Sequence, residues 1–396
     1  MASVGEAMQA ALADVPARAA AVAGIAARHA GEVDREARFP AEALAALKAQ
    51  KLLGVQIPHA LGGEAAGIGT IADVCYQLGQ ACAATGMMYA MHQIKIGCLV
   101  RHHAGSAVLE RLLRRIAAEQ LLLASSTTEG GGGGNIRSSE APVQYEGERI
   151  ALTRRASVIS YGAYADGIVT TARRAADAEA SDQVMVAFLK QDYTLTRVSG
   201  WNTLGMRGTC SEGYTLEASG TRDQILPEPY AQVHARTMVP FAHLLWGSVW
   251  TGIAAGALTR TQAFIRNAVR ASGGALPPGA ALFSQGLAQL RTLRGMLSSS
   301  IRLYERSMHD AAALATLEFQ STITLTKVQA SELAVSIVLT ALRACGLAGY
   351  RCEGEFSIER HLRDVLSSPI MINNERILAN LAGTLLMSPL PASVHD

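Results

Sequence analysis

The residues whose types and spacing suit chemistry are few, and the densest group is Thr127, Thr128 and Glu129 followed by five glycines, residues 130–134, and Asn135. A loop without bulky side chains lets backbone N–H groups approach a ring edge or a pyrophosphate. Thr127, Thr128 and the glycines through Gly134 suit that role, and taken alone they also suit a flexible surface turn. Arg270, just before Ser272-Gly273-Gly274, could hold a pyrophosphate through its planar fork, or could be a solvated arginine at a helix end. His92, in Tyr89-Ala90-Met91-His92, is a candidate to carry a proton, because imidazole titrates near neutral pH. His102 and His103 lie on a charged stretch and read as surface residues. The six cysteines, Cys75, Cys82, Cys98, Cys210, Cys345 and Cys352, match neither a CxxC metal site nor a short secreted disulfide framework. No metal is expected, and the compartment is expected to be reducing.

These groups must be positioned by a chain whose texture changes twice. Up to about residue 120, Ala/Leu runs keep a helical period, punctuated at Phe39-Pro40, Gly54 and Gly62-Gly63. From 121 to 230, shorter segments rich in β-type residues, such as 184–189, alternate with polar turns. From 231 the helical period returns and runs to Met387, with breaks at 273–278, 346–354 and 367–369. The expectation is an α+β chain with a helical domain at 1–120, a β domain at 121–230 and a helical bundle at 231–396, without an internal repeat.

With 35 basic and 33 acidic side chains and a net charge of +2, the chain has no field to attract nucleic acid or an anionic membrane. Charged residues make up 17% and apolar ones 49%, which suggests surface hidden in subunit contacts, an Ala-rich helical monomer being the alternative. The most apolar segment, residues 241–258, reads as a buried helix, since its Gly, Ser and Thr content and length make it a marginal bilayer span. The N-terminus, with Glu6 and Asp14, lacks a signal-peptide pattern, so a soluble, cytoplasmic protein is expected.

Four ordered motifs are similar to those of the acyl-CoA dehydrogenase family. Phe39-Pro40, Leu52-Leu53-Gly54 to Pro58 and Leu61-Gly62-Gly63 resemble its FP, GLLG, hydrophobic-P and GG signature. Thr128-Glu129 and the glycine run resemble its TEPGAGSD loop, with Gly130 in place of proline and Gly134 in place of serine. Leu204-Gly205-Met206-Arg207-Gly208-Thr209 resembles LGMRG(S/T), and Gly346-Leu347-Ala348-Gly349-Tyr350 with Arg363-Asp364 resembles GGNGF followed by RD. The resemblance implies a helical, β and four-helix-bundle architecture, a non-covalent FAD and α,β-dehydrogenation of an acyl thioester. It also implies a homodimer or homotetramer, and an electron-transfer partner or oxygen as acceptor.

Residue by residue, the resemblance gives the flavin Thr127, Thr128, Gly134, Val158, Ile159 and Ser160. Val158 stands where the family has tryptophan, and Ser160 takes the hydroxyl position. Arg270, Gly346 and Gly349 are implied near the dinucleotide, the arginine reaching it in a neighbouring subunit. The family's base is a glutamate nine residues after the arginine of the RD pair, and here that position is Ile372, beside the neutral amides Asn373 and Asn374. Glu375, three residues on and followed by Arg376, is the nearest carboxylate. A second family location for the base falls on Ala242, and His243 stands where an arginine helps hold CoA. An amide has no titratable group to accept an α-proton. Three readings follow. Glu375 acts as base with Asn374 beside it, or an acyl or aminoacyl thioester is oxidised without a strong base, or the protein is a flavin-dependent monooxygenase assisted by His92. A non-catalytic binding protein on the same fold is a further alternative. The exchange of arginine for His243 points to an acyl group on a carrier protein as well as on CoA.

Overall fold

The computed structural model describes residues 4–129, 136–390 and 392–393. The first layer is helical: α1 (Val4–Arg35), α2 (Ala41–Ala49), α3 (Ile68–Ala81), α4 (Ala83–His102) and α5 (Ala107–Glu119). Helix α5 shows why its sequence folds as it does. Leu109, Leu112, Leu113 and Ile116 recur at helical spacing and are buried, and Ser106 caps the first turn by accepting from Leu109 N–H.

Seven strands follow: β1 (Leu123–Ser126), β2 (Gln144–Glu146), β3 (Arg149–Ile159), β4 (Gly167–Arg173), β5 (Gln183–Leu189), β6 (Tyr193–Ser199) and β7 (Glu212–Thr221). They form two sheets, ordered β1-β4-β5 and β2-β3-β7-β6, and β1 runs parallel to β4. Strands β4 and β5 are apolar and buried on both faces, whereas β3 alternates. A bulge between Ala156 and Ile159 breaks that alternation and turns Val158 outward.

The chain then forms α6 (Tyr230–Val233), a π-helical turn at His234–Met238 and the long α7 (Val239–Ala271). The remaining helices are α8 (Gly279–Ser307), α9 (Ala311–Ala315), α10 (Leu317–Cys345), α11 (Leu347–Tyr350), α12 (Glu359–Val365) and α13 (Asn374–Leu385). Helix α7 is the central element: residues 240–258 are buried on every side, against α3, α8 and α10. The apolar 241–258 segment is therefore a core helix, as its composition implied. The bundle consists of three long helices, α7, α8 and α10, with the shorter α13 laid on α10.

Small residues let the layers meet at backbone distance. A Cβ on Gly79 would run into the Val249 carbonyl, and one on Gly252 into the Tyr76 carbonyl, so α3 and α7 touch main chain to main chain. The Leu204-to-Thr209 turn and the Arg363-Asp364 pair are two halves of one joint. Gly205 lies against the Arg363 carbonyl, Asp364 Oδ1 accepts from Met206 N–H at 2.7 Å, and Arg363 forks onto Asp34 of α1. That joint ties the β layer to both helical layers beside the cavity described next.

Candidate active site

A cavity of about 560 Å³ opens where the three layers meet. The end of β1 supplies Thr127 and Thr128, the bulge of β3 supplies Val158 and Ser160, and α7 supplies Ala242 and Trp246. Ile372, Trp201, and Met87 and Lys95 of α4 also line it.

One edge is polar and already organised. Ser160 Oγ and Ser211 Oγ are 2.7 Å apart, Ser211 Oγ and Thr209 Oγ1 are 2.8 Å apart, and Thr209 donates to the Met206 carbonyl at 2.8 Å. Trp201 Nε1–H donates to the same carbonyl at 3.0 Å. The hydroxyls thus form a fixed chain with spare lone pairs facing the cavity. The glycine loop beyond Thr128, including Gly134, lies outside the described residues. Its base is anchored, because Glu129 accepts from Ser139 Oγ at 2.9 Å and pairs with the buried Arg154 of β3 at 3.1 Å.

Four of the eight non-glycine residues with positive φ, among those described, lie in or next to the lining of this space. Tyr161, Met206, Cys210 and Ile372 have φ of 45°, 54°, 45° and 49°. For a β-branched isoleucine this is an outlying conformation, and such residues cost of order 1–3 kcal/mol each unless their surroundings hold them. The holder at Ile372 is Lys327. Its buried ammonium donates to the Ile372 carbonyl at 2.8 Å, to Asn374 Oδ1 at 2.7 Å and to the Ser368 carbonyl at 3.3 Å. Burial pushes this amine down to about 8.

The structure brings Thr127, Thr128, Val158, Ser160, Ala242 and Ile372 together around the cavity and sets the other candidates apart. His92 is fully buried with both nitrogens engaged: Nε2 lies 2.9 Å from the Leu53 carbonyl, and Nδ1 accepts from Leu123 N–H at 3.0 Å. It stitches the Leu53 turn to β1, and burial pushes its pKa down to about 4, which corrects its reading as a proton carrier at the flavin. Asn374 is likewise corrected. Its amide donates to Ser331 Oγ and Glu332 Oε1 at 2.9 and 2.7 Å and accepts from Lys327, so it anchors a loop. Asn373 caps α13 by accepting from Arg376 N–H at 2.8 Å. Glu375 is exposed on the first turn of α13 and does not line the cavity, so the register shift that would make it the base is not what the fold adopts.

His243 is buried inside the bundle and held neutral, its pKa pushed down to about 3 by burial and by Lys327, so it cannot reach a CoA phosphate. The inference drawn from it about a carrier protein loses its basis. Ile159 points into the core beside Gly162. Arg270, Gly346 and Gly349 are remote from this cavity, at the end of the bundle where α7 and α10 stop.

Residues 9–120 match the acyl-CoA dehydrogenase N-terminal domain model, and residues 241–382 match the acyl-CoA dehydrogenase C-terminal domain model. The chain belongs to the acyl-CoA dehydrogenase family. Among its relatives, cyclohex-1-ene-1-carbonyl-CoA dehydrogenase of Geobacter metallireducens is 27% identical over 377 residues, covering 90% of this chain and 93% of the relative. The 3-sulfinopropanoyl-CoA desulfinase of Paraburkholderia xenovorans is 25% identical, covering 90% and 91%. Two solved structures share the fold. The FMN-bound dibenzothiophene monooxygenase TdsC from Paenibacillus sp. A11-2 superposes with a TM-score of 0.84 at 16% identity over 96% of this chain and all of that one. A nitrososynthase from Micromonospora carbonacea gives 0.81 at 20% identity over 96% and 97%.

The protein is thus an acyl-CoA dehydrogenase-like flavoenzyme, and the cavity suits a flavin. Its walls are largely apolar, its polar edge is a row of hydroxyls, and the buried Trp246 Nε1–H in its wall has no hydrogen-bond partner among the described residues. Such an orphaned donor calls for a ligand acceptor. Among the described residues, the ionisable side chains lining it are Lys95 and Arg363. Sequence reasoning missed Lys95, Trp201, Trp246, Thr209 and Ser211. Lys95 alone had a legible signal, as the one Asp, Glu, Lys or Arg in residues 83–100.

Proposed function

We propose that the protein is an FAD-dependent oxidoreductase acting on an acyl or aminoacyl thioester of CoA. The observation that carries this reading is the cavity's division into a hydroxyl edge and an apolar wall, within a family that acts on acyl-CoA. The two relatives are, by their names, enzymes of acyl-CoA thioesters. A bound flavin would supply a two-electron acceptor, or a means of activating oxygen. The chain's own part is to hold it: Ser160, Thr127 and Thr128 would offer hydroxyls to it, Val158 and Trp246 would give it apolar contact, and the apolar wall would exclude water. That no Asp or Glu among the described residues lines the cavity supports one second reading, a flavin-dependent monooxygenase of the same fold. Release and chromatography of the bound flavin is expected to give FAD. Anaerobic mixing with acyl- and aminoacyl-CoA panels is expected to bleach it. Product formed only with oxygen would establish the second reading, and a colourless protein that cannot be reconstituted would overturn both.

The working unit is proposed to be a homodimer or homotetramer in the cytoplasm. Gly279 packs against the Ala344 carbonyl, which brings the start of α8 to the end of α10. Arg270, Gly346 and Gly349 therefore share one end of the bundle with the exposed Leu276, Leu347 and Tyr350. An apolar rim beside an arginine remote from its own cavity fits contact with a partner's dinucleotide. Light scattering should give two or four chains, and Arg270→Ala should lose flavin at unchanged melting temperature of the apoprotein. A monomer retaining FAD tightly would contradict this.

A further inference from the structure

Lys95 is the one ionisable group lining the cavity, among the described residues, that no carboxylate neutralises. Arg363, the other, is forked onto Asp34 and Glu359. The Lys95 Nζ is buried and finds only the Met238 thioether at 3.6 Å, a weak acceptor that also takes the Tyr230 hydroxyl at 3.5 Å. The π-helical turn places Met238 there. The other ionisable groups facing Lys95 are Cys98 on its own helix, Arg154 from β3 and His234 from the π-helical turn. The carboxylate in this neighbourhood, Glu129, belongs to Arg154. A buried ammonium without an anion is costly to keep, and burial pushes Lys95 down to about 8.

Position gives this group a use. Leu204 and Ile370, 63% and 70% exposed, mark the mouth of the cavity, while Met87, Lys95 and Met238 are buried at its floor. A chain that enters from the mouth and runs to this buried side of the lining would meet the ammonium. We propose that Lys95 is a specificity residue that binds a carboxylate or like oxyanion at the distal end of the acyl chain, so that the preferred substrate is the monothioester of a dicarboxylic acid. This rests on the cavity receiving an acyl thioester. Discrimination works in both directions, because a neutral tail would leave the ammonium unpaired against hydrocarbon.

The test is equilibrium binding to the flavin-loaded protein of matched pairs, glutaryl-CoA against pentanoyl-CoA and adipoyl-CoA against hexanoyl-CoA. The acidic member of at least one pair should bind about 10- to 100-fold tighter, as for a charge-assisted hydrogen bond. Lys95→Met, which matches the apolar lining in size, should erase that preference by weakening the acidic ligand and, with no ammonium left unpaired, binding the neutral one at least as tightly as before, and Lys95→Arg should restore part of it. The preference should also fade from pH 7 to 9. Among the groups facing Lys95, Cys98 is pushed up to about 11, burial raises Tyr230, His234 is pushed down to about 4 and the Arg154 guanidinium keeps its proton, so of these Lys95 alone titrates there; because Lys327 behind Ile372 is also pushed down to about 8, the fade should be absent in Lys95→Met. Equal binding of both members by the parent protein, or equal loss of both in Lys95→Met, would overturn the proposal and leave the thioester reading standing. So would lost turnover at unchanged relative affinity, which would make Lys95 a base. Binding of no thioester would overturn both.

Discussion

The Ile372→Glu variant should oxidise saturated thioesters such as butyryl-CoA about 10²- to 10⁴-fold faster than the parent protein, the usual worth of a general base. Ile372 lines the cavity at the family's base position, and Lys327 holds its carbonyl at 2.8 Å, so the loop that would present the new carboxylate is already fixed. Glutamate lacks the branched Cβ and suits the φ of 49° no worse than isoleucine does. Ala242→Glu places a carboxylate on the other wall and serves as an independent comparison. The measurement is kcat/KM with an artificial electron acceptor. Glu375→Gln should change nothing, because that side chain is exposed and off the cavity. Robust parental turnover of butyryl-CoA that disappears in Glu375→Gln would overturn the assignment.

Stability should fall steeply as pH drops from about 6.5 toward 4. Burial lowers the pKa of His92 and His234 to about 4 and of His243 to about 3, and holds that of His361 well below its ordinary value. In the unfolded chain each titrates near 6.5. Below that pH the unfolded chain binds protons that the fold refuses, so stability is complete above 6.5 and lost as pH falls. For His92, fully buried, the loss across the window is about 3 kcal/mol, large against a typical total of about 5–15 kcal/mol. Asp364 works in the opposite direction. Burial raises it to about 6, so the fold takes up a proton on acidification before the unfolded chain does, but it and Asp73, also raised by burial, are two carboxyls against five histidines, His102 being lowered as well. Urea melts between pH 7.5 and 5 should show the slope, and His92→Gln, which can still donate to the Leu53 carbonyl and accept from Leu123 N–H, should reduce it by about one proton. A midpoint independent of pH would refute the account.

The order of elements was legible in the sequence because local patterns encode it. The helical period of α5, the double-sided apolar runs of β4 and β5 and the return of helix at α6 need no knowledge of distant contacts. The motifs were legible for a related reason: Gly205, Asp364 and Arg363 form a joint whose close backbone approach admits few substitutes, so the residues recur in recognisable order. Thr127, Thr128, Val158, Ser160, Ala242 and Ile372 reached the cavity from that order alone.

What a side chain faces is a property of packing, and the linear pattern does not carry it. His92 and His243 have the chemistry of proton carriers, yet burial and backbone partners remove it. Asn373 and Asn374 lie in sequence beside the base position, but one caps α13 and the other is tied to Lys327, a residue 47 positions away from it in the chain. Trp201 and Trp246 line the same cavity from different layers, so no spacing could pair them. Lys95 was visible as a lone charge in an apolar helix. Only the tertiary structure decided that Glu129 neutralises Arg154 and that Lys95 lies at the cavity floor with no such partner, because that depends on how β3, α4 and the π-helical turn close on one another.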